Sequence, residues 1–294
     1  MYRVTNDSAS VTETSIFDNF SKYLFIYDDH SEVIWIEFIL HKYDSINDPA
    51  LIQEINDVCI NASSLIRQHQ SPPLAIIMSD SHNNIVQFMF PFIYSNHVTR
   101  IDDDYHLVMN DSSIQIIHLG DYGLSNISRL FHEHHQTFAS LNRIMLNLID
   151  QLTNHAIFLC GNHDWWIHSK HQLQHHYVKQ IGQKRYLFIH GPPFTMKLLK
   201  TPDEFKNHLF YRYNRHLSMA FNRKEIVHLY RTFITELGYE IDVVVSGHEQ
   251  LFSQMNLSNE SFEFIGLDCF CTTRCYFSYE SDECDHPYLH VYKR

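Results

Sequence analysis

Seven side chains in five short stretches have the types and spacing to hold metal ions and deliver a proton. They are Asp80 and His82 in Ser79-Asp80-Ser81-His82, Asp121 in Gly120-Asp121, Asn162 and His163 in Gly161-Asn162-His163-Asp164, His190 before Gly191, and His248 after Gly247. Hard or borderline divalent ions take carboxylate oxygen and neutral imidazole. Two such ions held about 3.5–4 Å apart can clamp the attacking and leaving oxygens of a phosphoester, and water between them ionises near neutral pH to give a hydroxide nucleophile. Such a pair needs a bridging carboxylate, and Asp121 is the natural choice. Asp80 and His82, two apart on an extended segment, can turn together towards the first ion, while Asn162 offers an uncharged oxygen to the second with His190 and His248. His163, beside a ligand, has the place to protonate a leaving alkoxide or stabilise charge in the transition state. Adjacent Asp164 is a candidate to orient its ring.

Each stretch ends an apolar run that reads as a buried strand: Leu74–Met78, Ile114–Leu119, Ala156–Cys160, Tyr186–Ile189 and Val243–Val245. Ligands of open α/β sheets gather at the carboxyl ends of strands, so the five runs predict one site at the lip of a sheet. Lys22–Tyr27 and Glu32–Leu40 predict a hairpin, and Pro49 to about His69 a helix with Leu51, Ile52, Ile55, Val58, Cys59 and Leu65 at helical spacing. Asn84–Tyr94 starts as a helix that Pro91 should interrupt. Tyr105–Met109 and Ile114–Leu119 predict a second hairpin. Ser125–Leu152 predicts the clearest helix, capped by Ser125, and Ile167 to Ile181 a shorter one. Helices are predicted at about 203–219 and 223–237, and strands at Phe262–Leu267 and Tyr288–Tyr292. Alternation through the middle gives an α/β class with antiparallel additions. We expect a single domain over residues 1–294, with an N-terminal hairpin and helix in 1–72 and a helical cap insertion at 191–240.

With 294 residues, 44% of them hydrophobic, the chain can bury a sizeable core, and eight Gly and eight Pro argue against a linker-rich chain. A formal charge of −12 argues against tracking a nucleic-acid backbone. The polar start, Met1–Thr14, lacks a secretory h-region, and no run is long and apolar enough for a membrane span. With six cysteines, scattered apart from a late cluster at Cys269, Cys271, Cys275 and Cys284, this points to a cytoplasmic protein with free thiols, export by a route without a cleaved signal being the alternative.

As a set, the five stretches resemble the calcineurin-like metallophosphoesterase superfamily, whose pattern runs D-x-H, G-D, G-N-H-D/E, H and G-H. The match spans roughly residues 74–250, at Asp80/His82, Asp121, Asn162/His163, His190 and His248. The resemblance implies a β-sandwich of two mixed sheets flanked by helices, and two divalent ions: manganese first, with iron or zinc as alternatives. It also implies a phosphorylated substrate. Many members end in G-H-x-H; here Gly247-His248-Glu249-Gln250 places Gln250 there, as the serine/threonine protein phosphatase branch commonly does nearby. Gly120-Asp121-Tyr122 is similar to that branch too, but where the branch normally continues G-D-x-x-D-R-G, Gly123-Leu124-Ser125 follows here, so the orienting Asp and phosphate-binding Arg of that motif are missing.

Other residues admit a sharp and a bland reading. The segment 191–240 carries eight Lys or Arg against five Asp or Glu, so Arg212, Arg215 or Arg223 could grip a phosphate in place of the missing Arg; a solvated helix face is the plainer alternative for each singly. Trp165 and Trp166 either wall the pocket or fill the core, and Gln250 reads as a neighbour of the ligands or a surface residue. His132-Glu133-His134-His135 lacks the second His of a zincin motif, Gln136 standing there. The expected activity is that of a phosphomonoesterase acting on phosphoproteins, the alternatives being hydrolysis of nucleotides or small phosphate compounds, or a non-catalytic scaffold on the same fold.

Overall fold

A computed structural model describes residues 41–69, 75–123, 135–161, 163–164, 167, 173–181, 183–191, 223–238, 240–248, 253–255, 262–267, 275–279 and 288–291. Their helices are α1 (Pro49–His69), α2 (Ile85–Tyr94), α3 (His135–Leu152) and α4 (Arg223–Leu237). In chain order the strands are β1 (Ala75–Met78), β2 (Val98–Ile101), β3 (Leu107–Met109), β4 (Gln115–His118), β5 (Ala156–Phe158), β6 (His176–Ile181), β7 (Lys184–Ile189), β8 (Val243–Ser246), β9 (Ser253–Met255), β10 (Glu263–Gly266), β11 (Cys275–Tyr279) and β12 (Tyr288–Val291). Two five-stranded sheets form, β12-β11-β1-β4-β5 and β6-β7-β8-β10-β9, with β2-β3 as a separate ribbon. Both sheets are mixed: β1-β4-β5 and β7-β8-β10 run parallel at their centres, and the outer pairings are antiparallel.

Strict alternation along the strands assigns each side chain to a layer. Ile77 and Ile117 meet Phe188, Val243, Val245 and Ile265 between the two sheets. Their neighbours Ile76, Ile116 and Phe158 turn outward to α1, α2 and α3. On the far side Leu187, Ile189, Val244 and Phe264 receive Val227, Tyr230 and Phe233 of α4. The result is a four-layer sandwich of helices, sheet, sheet and helix, and the β-sandwich of mixed sheets expected from the sequence is found. Buried on both faces, the central strands read as continuous apolar runs, as in Val243–Val245. At about 1.5–3 kcal/mol per fully buried large aliphatic side chain, these layers hold the sheets together.

The helices follow their apolar stripes. In α1, Leu51, Ile52, Ile55, Cys59 and Ala62 are buried. The Asn56 side chain donates to Ile101 O at 2.7 Å and accepts from Ile101 N at 2.8 Å, fastening α1 to β2. Among the described residues no helix is long and apolar enough to cross a membrane.

Four expectations change. Pro91 lies inside α2 rather than ending it; all ten residues of α2 are buried, and that packing outweighs the single lost hydrogen bond. The hairpin partner of β3 is β2, not the run at Ile114–Leu119, because β4 is a central strand paired in parallel with β1 and β5. The helix expected up to Ile181 is replaced by β6, which pairs with β7 from His176–Ile189 to Ile181–Lys184. Tyr177 packs between the sheets and Val178 on the α4 side, a period of two that the helical reading overlooked. Finally, α4 is a flanking helix on the outer face of the second sheet. The rest of the segment expected as a cap, 192–222, lies outside the described residues, as do the N-terminal hairpin, Ser125 and most of the cysteine-rich end. Cys59 and Cys160 are free thiols.

Candidate metal centre

The site is shared between the sheets rather than built on one. Asp80 and His82 follow β1, Asp121 follows β4, His163 and Asp164 follow β5, His190 follows β7 and His248 follows β8. Parallel strands deliver these residues to one edge of each sheet, and stacking the sheets brings the edges together. Hydrogen bonds between the loops fix the register. Asp80 N donates to Gly120 O at 3.0 Å, His82 N to Asp121 O at 3.0 Å and Asn83 N to Tyr122 O at 2.7 Å. Asp80 Oδ2 accepts the amide of His248 at 3.1 Å, joining positions 168 apart in the chain and tying one sheet to the other.

Two groups of metal-ligand atoms result, Asp80-His82-Asp121 and Asp121-His190-His248, and within each the atoms lie within 4.8 Å of one another. Asp121 belongs to both, the place expected of a bridging carboxylate. His190 Nε2 stands 3.2 Å from Asp121 Oδ2, and His82 Nε2 3.6 Å from Asp80 Oδ1. The His82 and His163 rings meet edge to face at 5.2 Å, and those of His190 and His248 also lie 5.2 Å apart. All the named side chains are buried, His163 being 8% exposed and His248 9%.

Charge and backbone both fit a cation here. Burial pushes the Asp80 and Asp121 carboxyls up, but the surrounding imidazoles more than reverse this, holding Asp80 below the usual carboxylate range and Asp121 well below it. For His190, burial presses downward, yet the charge and hydrogen bond of Asp121 raise it to about 9. Two ionised carboxylates out of water therefore draw positive charge into the site, the condition a divalent ion satisfies. Asp80, His82, Asn83, Asp121 and His248 all have positive φ, between 43° and 71°, five of the eight such non-glycine residues described. Left-handed backbone costs about 1–2 kcal/mol per residue, and it is concentrated here in the loops that carry the two candidate ligand groups. A methyl group on Gly161 would strike Asp121 Oδ1 and lie 2.9 Å from Asp121 Cγ, and one on Gly247 would strike Ser79 Oγ and lie 2.9 Å from Asp80 Oδ2. Both glycines let backbone close around the carboxylates.

Asp164, expected as a partner for His163, spends its carboxylate on backbone. Oδ2 accepts from Asp121 N at 2.7 Å and Gly161 N at 2.8 Å, and Oδ1 from Tyr122 N at 2.9 Å. Burial and the Asp121 charge push its pKa up to about 7 against the pull of those amides. His163 N donates to Asp121 Oδ1 at 2.8 Å, which holds the loop after β5 against the shared carboxylate. Tyr122, adjacent to Asp121, is fully buried, and its hydroxyl donates to Leu159 O at 2.5 Å. Asn162, Trp165, Gln250, Arg212 and Arg215 lie outside the described residues, and Arg223 is described only as the first backbone position of α4. The sequence reading missed His118, whose one signal is a lone His closing the apolar run Ile116-Ile117.

No protein-family profile matches the chain. No curated protein matches it either. Among solved structures, it is similar to a predicted phosphoesterase from Streptococcus pneumoniae, at 13% identity and a TM-score of 0.32, over 71% of this chain and 82% of that one. It is also similar to an archaeal phosphodiesterase, at 11% identity and a TM-score of 0.32, over 74% of this chain and 99% of that one. A third similar structure is wild-type Vps29 from Entamoeba histolytica complexed with zinc, at 9% identity and a TM-score of 0.30, over 69% and 83% of the respective chains.

Proposed function

We propose that this chain is a metal-dependent phosphoester hydrolase in which Asp80, His82, Asp121, Asn162, His190 and His248 hold two divalent ions. The observation that carries the reading is the sharing of one buried carboxylate, Asp121, by two three-residue groups of ligand atoms. Bound there, the ions would supply the Lewis acidity and the lowered water pKa that phosphoester hydrolysis needs at neutral pH. The chain's own part is positional and protonic. Ionised Asp80 and Asp121 fix where positive charge sits, and the zipped loops after β1 and β4 set the distance between them. His163, anchored through its backbone to Asp121 and still 8% exposed, would give its imidazole proton to the departing oxygen. Burial of the surrounding side chains excludes bulk water and strengthens each charge interaction.

The substrate we propose is a phosphomonoester on protein. Gly120-Asp121-Tyr122 and Gln250 in place of a second His favour it. The test is to measure bound metal in the purified chain and then, with manganese added, turnover of phosphopeptides, nucleotides and a simple phosphodiester. Uptake of two ions and preferential release of phosphate from phosphopeptides is expected. A chain that takes up no divalent ion overturns the hydrolase reading, and hydrolysis confined to nucleotides or diesters overturns the phosphoprotein assignment.

A further inference from the structure

The last residue of β4, His118, ligates nothing in either group, yet it touches both loops that supply the first one. It is fully buried, its ring centroid 4.4 Å from that of Tyr122 and 5.7 Å from that of Phe88. Its Nδ1 accepts from Gly120 N at 3.1 Å. An acceptor at Nδ1 places the hydrogen of the neutral ring on Nε2, and Nε2 stands 3.2 Å from Ser81 Oγ. Burial presses the ring's pKa down to about 3, which keeps it in the one-donor, one-acceptor form these contacts need. Ser81 lies between Asp80 and His82, and Gly120 immediately precedes Asp121. One imidazole therefore links the two ligand-bearing loops from beneath. A Phe would satisfy the aromatic contacts equally well but could make neither bond.

We propose that His118 is a positioning residue that sets the spacing between the Asp80–His82 loop and the Asp121 loop, and with it the ligand geometry of the first metal ion. The inference rests on the metal-site reading above. Groups that orient ligands in this way typically change metal affinity by 10–100-fold when removed.

The test uses the full chain, titrated with manganese by calorimetry and with cobalt by visible absorption, which reports ligand geometry. The wild type is expected to take up two ions. In His118→Phe, one of the two should lose affinity by about tenfold or more, with a change in the cobalt bands, while the other keeps its affinity. His118→Gln, whose amide can still reach Ser81, should recover part of the loss. Ser81→Ala should move affinity in the same direction, and the combined variant should be no weaker than His118→Phe alone, because the two residues are ends of one bond. Wild-type affinity and an unchanged cobalt spectrum in His118→Phe overturn the role of His118. If that variant does not fold, the same result in Ser81→Ala overturns it. Failure of the wild type to take up ions overturns the metal-site reading, and this proposal falls with it.

Discussion

Asp164 Oδ2 accepts the backbone amide of Asp121 at 2.7 Å, so the residue after the proposed proton donor fixes the main chain of the proposed bridging ligand. With the bonds from Gly161 and Tyr122, one carboxylate joins the loops after β4 and β5. Hydrogen bonds to charged groups contribute about 1.5–3 kcal/mol each, and a buried amide left unpaired costs about 1–3 kcal/mol. At pH 8, above the raised pKa of about 7 where the carboxyl is mostly ionised, Asp164→Ala should therefore lower unfolding stability by on the order of 3–5 kcal/mol. Urea denaturation measures this; a loss under about 1 kcal/mol would show that the bonds are replaceable.

His163 and Asp121 should separate by phenotype. His163→Ala is expected to lower phosphoester turnover by about 10²–10⁴-fold, the range for losing a general acid, while bound metal stays at the wild-type level. Asp121→Asn removes the shared charge from both ligand groups and should lose metal as well as activity. Metal content and turnover measured on the same samples decide it; full activity in His163→Ala would remove that residue from the chemistry.

The glycines at the site should tolerate nothing larger. In Gly161→Ala the new methyl meets Asp121 itself, and in Gly247→Ala it meets Ser79 and Asp80, so both variants should lose metal binding. Gly238→Ala is the control. Its φ is +70° with no atom near the added methyl, so only the left-handed penalty of about 1–2 kcal/mol applies, and metal binding should be unchanged. Calorimetric titration of the three variants with manganese distinguishes local collision from backbone strain.

Acid should weaken the native state through His118. Its folded pKa, about 3, lies below the ordinary histidine value of 6.5. Between those values the unfolded chain binds a proton that the folded chain refuses, so this contribution is complete above pH 6.5 and is lost as pH falls towards 3. Each pH unit in that window is worth about 1.4 kcal/mol. Asp164, with its raised pKa, acts in the opposite direction over part of the same range, so the contribution is read as a difference between proteins. From pH 6.5 to 4.5, ion-free wild type should lose roughly 2–3 kcal/mol relative to His118→Phe. Parallel urea curves at the two pH values check the sign; a gap that is constant with pH contradicts it.

How far the sequence reached depended on whether a feature was local. The helices expected from Pro49 to about His69 and at about 223–237 are found as α1 and α4, and for α1 the apolar spacing that marks it is a local fact of the chain. The five strands ahead of the ligands stood out as apolar runs. The helix in place of β6 went wrong because His176–Ile181 carries mixed polarity, and its strand state comes from pairing with β7. The β2–β3 ribbon was hidden for a related reason. Pairing partners are chosen by the assembled sheet, and β4 was already engaged on both sides.

The chain order alone determined which residue types stand at strand ends, and hence the candidate set Asp80, His82, Asp121, Asn162, His163, His190 and His248. Only the tertiary structure decided that these ends come from two stacked sheets, that Asp121 is common to both ligand groups, and that Asp164 and His118 brace the loops from below. Residue type and spacing are properties of the covalent chain. Distances such as that from Asp80 to His248, 168 positions apart, exist only after burial of apolar surface has pressed one sheet onto the other.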